Sequence, residues 1–297
     1  MRGNNENPGI ILLAIEDVFR YIKESPNLDF LLRVSYMEIY NEVITDLLNP
    51  INTNLKVHED IERGVFVGGV TEEIVTSQFQ VLSILARGDA NRKVGRTNMN
   101  EYSSRSHSIF RMVIESSEKD ASGEDGKHGR GGHAAARRSV PVPGGRGGAA
   151  PLLLGKNTVK VSLLNLVDLA GSERAQQTGA EGLRLKEGSH INKSLLTLER
   201  VISKLSEGGK GAAHIPYRDS RLTRILQPAL GGNSRTAIIC TVTPAWVHQE
   251  ESHSTLKFAN SAKKISNKPQ VNEVLDDKAL LKRYLNKISS LEEQIDS

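Results

Sequence analysis

An α/β fold is the class this sequence points to, on three observations. The apolar run Val159 to Leu169 is short and rich in Val and Leu, as suits a strand buried on both faces of a sheet. Ile191, Leu195, Leu198, Ile202 and Leu205 alternate steps of four and three, the core stripe of an amphipathic helix ending near Gly208-Gly209. Asp168 and Gly171 follow at the carboxyl end of the run, where open α/β sheets bind their ligands.

The strand end carries chemistry. A carboxylate at Asp168 suits the water shell of Mg²⁺, a hard ion that keeps several of its waters, and Gly171 lets its backbone N–H approach a phosphate oxygen. About sixty residues upstream, Asn100-Glu101-Tyr102-Ser103-Ser104-Arg105-Ser106-His107 offers hydroxyls at Ser103, Ser104 and Ser106 for Mg²⁺ or an attacking water, and a cation at Arg105. Glu173 is placed to pair with Arg105 when both loops close over a nucleotide. Each motif alone is as readily an ordinary strand end or turn, but together they supply what a γ-phosphate sensor needs.

Other segments fill in the elements. Ser108 to Glu115 is strand-like, and Ala237 to Val242 reads as a buried strand in which Cys240, the single cysteine, is inert packing in a reducing compartment. Asp219 or Ser220 suits the cap of a helix with Leu222, Ile225 and Leu226 inward, so that Arg218, Arg221 and Arg224 project roughly together. Ser252 or Ser254 suits the cap of a last helix carrying Leu256, Phe258, Ala259, Ala262 and Ile265, broken at Asn267-Lys268-Pro269. Beyond it, Leu281, Tyr284, Ile288, Leu291 and Ile295 follow an a/d seam for two heptads, short enough that a single surface helix stays an alternative to a coiled coil.

Composition sets limits. The apolar share of 38% and charged share of 25% are ordinary for a soluble globular chain. No run of eighteen apolar residues suggests a membrane span, and the first twenty residues do not form a secretory leader. Of the net charge of +4, most lies between Glu118 and Lys156, with seven Lys and Arg against four Asp and Glu. That Gly/Ala/Arg-rich segment has too few large apolar side chains to offset the entropy of ordering, so it reads as a disordered loop. A passive insertion is preferred there to a basic arm or a retained intron, and nucleic acid is not an expected partner. His58, His190, His214, His248 and His253 show no metal-ligand spacing, and no Ser sits in a strand-turn-helix elbow.

The two motifs resemble the kinesin motor family, whose switch I reads N-x-x-S-S-R-S-H and whose switch II reads D-L-A-G-S-E. Both occur without a mismatch at Asn100–His107 and Asp168–Glu173. Further blocks extend the resemblance over nearly the whole chain. Val34 to Glu42 looks like the family's central strand and its exit, and Val57-His58-Glu59-Asp60 like the start of its microtubule-facing hairpin. Ile191 to Leu195 resembles the relay helix, and Tyr217 to Leu226 the loop and helix that touch tubulin.

What the resemblance implies is a kinesin-like P-loop NTPase sandwich of three layers, a mixed central sheet with helices on both faces, incomplete at its amino end. Residues 1–117 and 157–263 would be the motor core, 118–156 an insertion, 264–273 the neck linker and 274–297 a neck helix starting a coiled coil, and hence a homodimer. ATP and Mg²⁺ are the implied ligands. Asn100, Ser104, Asp168 and Gly171 would bind the nucleotide, Ser104 and Asp168 (through water) would hold Mg²⁺, and Ser103, Ser104, Arg105, Asp168, Gly171 and Glu173 would serve catalysis. Lys193, Arg218, Arg221 and Arg224 would face the acidic surface of microtubules. A motor preceding its neck implies plus-end-directed movement, and the string around Val271 to Tyr284 is similar to centromere-protein-E-like kinesins, with cytoskeleton, spindle or kinetochore as the implied place.

One family part is missing from the sequence. Phosphate cradling in this class uses G-x-x-x-x-G-K-[ST], and the three Gly-Lys pairs, at 126, 155 and 209, are followed by His128, Asn157 and Gly211. In the family that loop lies upstream of the segment here reading Asn7 to Ile11. The expectation is a chain beginning past it, a sheet with an exposed edge and helix-packing face, and no ATP hydrolysis by this polypeptide alone. A nucleotide-independent microtubule-binding remnant is the alternative.

Overall fold

Helices α1 (Ile10–Glu24) and α2 (Gln78–Val94) flank the first part of a sheet built from β1 (Leu28–Tyr40), β2 (Val43–Asp46), β5 (Glu73–Val75) and β6 (His107–Glu118), while β3 (Val57–Asp60) and β4 (Gly64–Val67) form a separate hairpin. Strand β7 (Thr158–Asp168) follows, then α3 (Leu183–Ser206), α4 (Arg221–Ile225), α5 (Gln249–Ala262) and β8 (Glu273–Leu275). This computed structural model describes residues 1, 3, 6–60, 64–94, 106–119, 158–172, 183–207 and 214–275. Asn100, Ser103, Ser104, Arg105 and Glu173, most of the 118–156 insertion and the seam from Leu281 onward lie outside them.

The main sheet runs β2-β1-β6-β7-β8, with β5 sharing the outer edge of β1. Alternation along β1 and β6 divides the core into two layers. Leu32, Val34, Tyr36, Phe110 and Met112 face α1 and α2, whereas Met37, Ile39 and Ile109 face Leu198, Val201 and Ile202 of α3 and Leu222 and Ile225 of α4. Helices on both faces confirm the three-layer arrangement. Its ladders correct one detail, because every pairing among the described residues is antiparallel where a mixed sheet was expected. The link from β1 to β2 is one reason: Asn41 (φ 52°) and Glu42 (φ 59°) make a two-residue turn with both residues left-handed, whose twist suits an antiparallel hairpin.

Two strand expectations are overturned. Strand β7 is not buried on both faces: Leu163 is 52% exposed, and beyond Val161 no described strand lies beside it on the side away from β6. Ala237 to Val242 joins no ladder, Ile239 is 66% exposed and Cys240 is half-buried rather than sealed in a core. Apolar composition marked 159–168 correctly as a strand but not 237–242, which is no strand here, and in both segments burial depends on neighbours that they do not have among the described residues.

The helices need smaller corrections. α3 carries the expected stripe through Leu195, Leu198, Ile202 and Leu205, and adds Val201 and Thr197 to the buried side. α5 begins at Gln249, three residues before the expected cap, because a 3₁₀ turn at Trp246–His248 feeds straight into it. Ser252 instead donates from Oγ to the Thr243 carbonyl at 3.0 Å. Leu256 is exposed, while Phe258, Ala262 and Ile265 pack against the α3 layer.

The segment expected as neck linker lies along the core. Asn267 Nδ2 donates to the Ala229 carbonyl at 3.1 Å, Lys268 N–H to the Gly232 carbonyl at 3.0 Å, and Val161 N–H to the Asn272 carbonyl at 2.9 Å. β8 then pairs Glu273–Leu275 with Thr158–Lys160. Val274 and Leu275, expected to start the neck helix, are therefore strand, their backbone groups already used by β7.

Candidate functional site

The carboxyl end of β7 meets the amino end of β6, and antiparallel register aligns three polar residues there: Glu38 lies opposite Ser108, and Ser108 opposite Asp168. All three fall on the α2 face of the sheet. Asp168 is half-buried, and no described group pairs with its carboxylate. Ala170 is buried and Gly171 half-buried beside it. A half-buried carboxylate with open acceptor sites at a strand end, next to a glycine, has the donor chemistry of a hydrated hard cation. Asp168 and Gly171 thus come together as expected, whereas the roles of Asn100, Ser103, Ser104, Arg105 and Glu173 fall outside the described residues.

The base of the serine-rich segment is fixed from both sides. On the α2 face, Arg92 donates to Glu38 Oε1 (3.2 Å), to the Ser106 carbonyl (3.1 Å) and to Ser106 Oγ (2.8 Å). Both charged side chains are only about a tenth exposed, at 11% and 10%. Such a pair holds position well, since removing one partner strands the other charge in a poorly solvated place. Arg92 lies in the last turn of α2, which ends at Val94, and Ser106 directly precedes β6, so one guanidinium ties the end of that helix to the start of that strand.

On the opposite face, His107 is 2% exposed. Its Nδ1 accepts from the Ala170 N–H at 2.9 Å, and its Nε2 lies 2.8 Å from Ser194 Oγ on α3. Burial first, and then the nearby Arg92 guanidinium, push its pKa down to about 4. It is the first residue of β6, with both ring nitrogens engaged. Back on the α2 face, Tyr36 Oη donates to Asp89 at 2.8 Å, and burial followed by the Asp89 charge raises the phenol to about 12.

The basic cluster sits on the α3 face at α4. Ser220 caps α4, its Oγ accepting from the Leu222 N–H at 3.2 Å. The three arginines do not project together. Arg218, in a 3₁₀ turn, donates to Glu59 at 3.0 Å, and Arg224 reaches the same carboxylate at 4.0 Å. Arg221 turns instead to Asn54 Oδ1 (3.0 Å) and the Leu55 carbonyl (3.2 Å), tying α4 to the chain before β3. Arg218 and Arg224 thus converge on one carboxylate, and Arg221, between them in sequence, is the one that turns away. Lys193 on α3 is exposed, and Arg218 keeps 71% of its side chain in solvent.

Sequence reasoning passed over Arg92, Glu38, Ser194 and Glu42. Glu42 accepts from Ser220 Oγ and from the Arg221 N–H, both at 2.7 Å. No spacing rule links Glu38 to Arg92, His107 to Ser194 or Glu42 to Arg221, because these pairs lie 54, 87 and 179 positions apart. A charged residue inside the mostly apolar run Val34–Ile39 was the one available sign, at Glu38.

Residues 1–265 match the kinesin motor domain family. The chain belongs to the kinesin motor family. It is 55% identical over 292 residues to the kinesin-like protein KIN-7I of Oryza sativa subsp. japonica, a match covering 98% of this chain and 22% of that protein. Kinesin-related protein 11 of Dictyostelium discoideum is 53% identical over 292 residues, 98% of this chain and 38% of its own length. This kinesin chain thus spans 22% and 38% of the length of these two relatives. Among solved structures it is similar to a fast kinesin (41% identity, TM-score 0.73, 93% of this chain and 68% of that one). It is also similar to a KIF14 dimer carrying AMP-PNP in complex with a microtubule (38% identity, TM-score 0.74, 94% and 70%). The relatives named are KIN-7 and Dictyostelium kinesins, and none is a centromere-protein-E-like kinesin by name.

Proposed function

We propose that this chain is the switch-bearing and filament-binding part of a microtubule motor that couples ATP hydrolysis to tubulin affinity and to docking of residues 264–273. The observation carrying this reading is the end of β7, where the Asp168 carboxylate, with no partner among the described residues, stands beside Gly171, and the following Ala170 is linked through His107 to α3. Asp168, through water, and the hydroxyl of Ser104 are the residues that would hold Mg²⁺. When bound, the ion would neutralise phosphate charge. Asn100 and Gly171 would contact the nucleotide, while Ser103, Arg105 and Glu173 would position water and latch the loops. Arg218 and Lys193, exposed on the α3 and α4 side, supply the cations for an acidic filament surface, with Arg224 behind them and Arg221 acting through the fold. Salt should weaken that contact.

Plus-end direction, a homodimer through the seam from Leu281 to Ile295 and a place beside the centromere-protein-E-like kinesins are supported by the order of motor and neck, by that seam and by the neck string. The absence of G-x-x-x-x-G-K-[ST] from the sequence favours a second reading for this polypeptide by itself, a microtubule binder without turnover. Co-sedimentation of the 297-residue chain with microtubules across salt concentrations, beside an ATPase assay, tests both. Binding that weakens with salt and is reduced in Arg218→Ala, without ATP turnover, is expected. Microtubule-stimulated turnover would show that the glycine loop is dispensable, and binding indifferent to salt and to Arg218→Ala would remove the basic cluster from the interface.

A further inference from the structure

His107 is the one described side chain that hydrogen-bonds both the outgoing loop of β7 and helix α3. A neutral imidazole has one donor and one acceptor. The Ala170 N–H can only donate, so Nδ1 must be the bare nitrogen and the proton must reside on Nε2, which donates to Ser194 Oγ. The observed geometry therefore selects one tautomer. Arg92 holds Ser106 and Ser108 on the other face of the sheet, so the ring is anchored at its root and has no slack. An imidazolium at this position would lose the Ala170 bond, and the depressed pKa keeps the ring neutral at pH 7.

We infer that His107, in its Nε2–H tautomer, is a positioning residue that fastens the Asp168–Gly171 loop to α3, so that a displacement of that loop carries the helix with it. Ser194 lies beside Lys193, which is exposed, and one turn from the buried Thr197 and Leu198. A pull on Ser194 would therefore act on a buried position of α3 that adjoins the exposed Lys193. A space-filling residue would leave the Ala170 N–H without an acceptor and would transmit nothing directional. This inference rests on the motor reading for its consequence, though not for the bonds themselves.

The experiment uses the 297-residue chain, ¹⁵N-labelled, with His107→Asn, His107→Gln and His107→Leu. Asn places an amide oxygen near the Nδ1 position and retains the Ala170 bond; Gln places an amide nitrogen near Nε2 and retains the Ser194 bond; Leu fills the space with neither. Long-range ¹H–¹⁵N spectra at pH 7 should show the Nε2–H tautomer, and Ala170 amide exchange should stay slow in wild type and Asn but rise at least tenfold in Gln and Leu. Microtubule affinity should fall about five- to tenfold in all three, the loss of one directional bond being enough to break the link. An Nδ1–H tautomer, or a Leu variant that binds microtubules as tightly as wild type, would overturn the inference. If wild type itself fails to bind microtubules, the filament reading falls, and the spectra and Ala170 exchange alone decide whether His107 forms the link.

Discussion

Among the described residues the molecule is packed around β1 and open along β7 and the 237–242 segment, although both regions are built from similar residues. From Val34 to Ile39 every residue of β1 is buried, charged Glu38 included, between α1 and α2 on one face and α3 and α4 on the other. Leu163 of β7 and Ile238, Ile239 and Val242 of the 237–242 segment are equally apolar and largely in solvent. The difference teaches that an apolar run supplies a strand's preference but not its burial. Partners on two edges and two faces supply the rest.

The comparison can be broken most severely at Arg92. Arg92→Ala leaves Glu38 buried without its cation, and a loss of about 3–5 kcal/mol is expected in urea unfolding. Ile109, fully buried between β1, β7 and α3, should cost about 2–5 kcal/mol on truncation to Ala.

Acid should act on the packed region through His107. An unfolded chain takes up a proton there as the pH falls through 6.5, whereas the folded chain does so only at about 4. Stability is therefore full above about pH 6.5, falls between those values and levels off below, by about 3 kcal/mol in all. His107→Asn should remove that part of the pH dependence, read as the difference in unfolding midpoint between pH 7 and 4.5. Gly88→Ala should cost about 1–3 kcal/mol in the same assay, since a Cβ at Gly88 would come within 2.3 Å of the buried Tyr36 ring. In the open region, Ile239→Ala should change stability by less than about 0.5 kcal/mol. A large loss there would mean that this segment is covered in solution, and the contrast between the two regions would disappear.

Much of this was legible in local pattern. The α3 stripe, the Ser220 cap and the strands around residues 108–115 and 159–169 followed from periodicity and capping chemistry, which act over a few residues. Asp168 and Gly171 were legible because a strand end has a chemical meaning of its own. Legibility failed where position is set across the chain. The antiparallel ladders, the strand at Val274 and Leu275, the exposure of Ile239 and the separate fates of Arg218 and Arg221 all depend on which distant segment arrives alongside. The Arg92 and His107 contacts failed for the same reason: their spacing is an outcome of the β1, β6 and β7 register rather than of any motif.

The turn at Asn41 and Glu42 carries a consequence for how quickly the molecule assembles. Two adjacent residues other than glycine are held left-handed there, and Glu42 in that pose caps the start of α4, 179 positions away in sequence. Joining groups so far apart carries the entropy of closing a very long loop, so the cap belongs to a late step of folding. Glu42→Ala should therefore leave the folding rate nearly unchanged and quicken unfolding, making this small turn a determinant of how long the native state lasts.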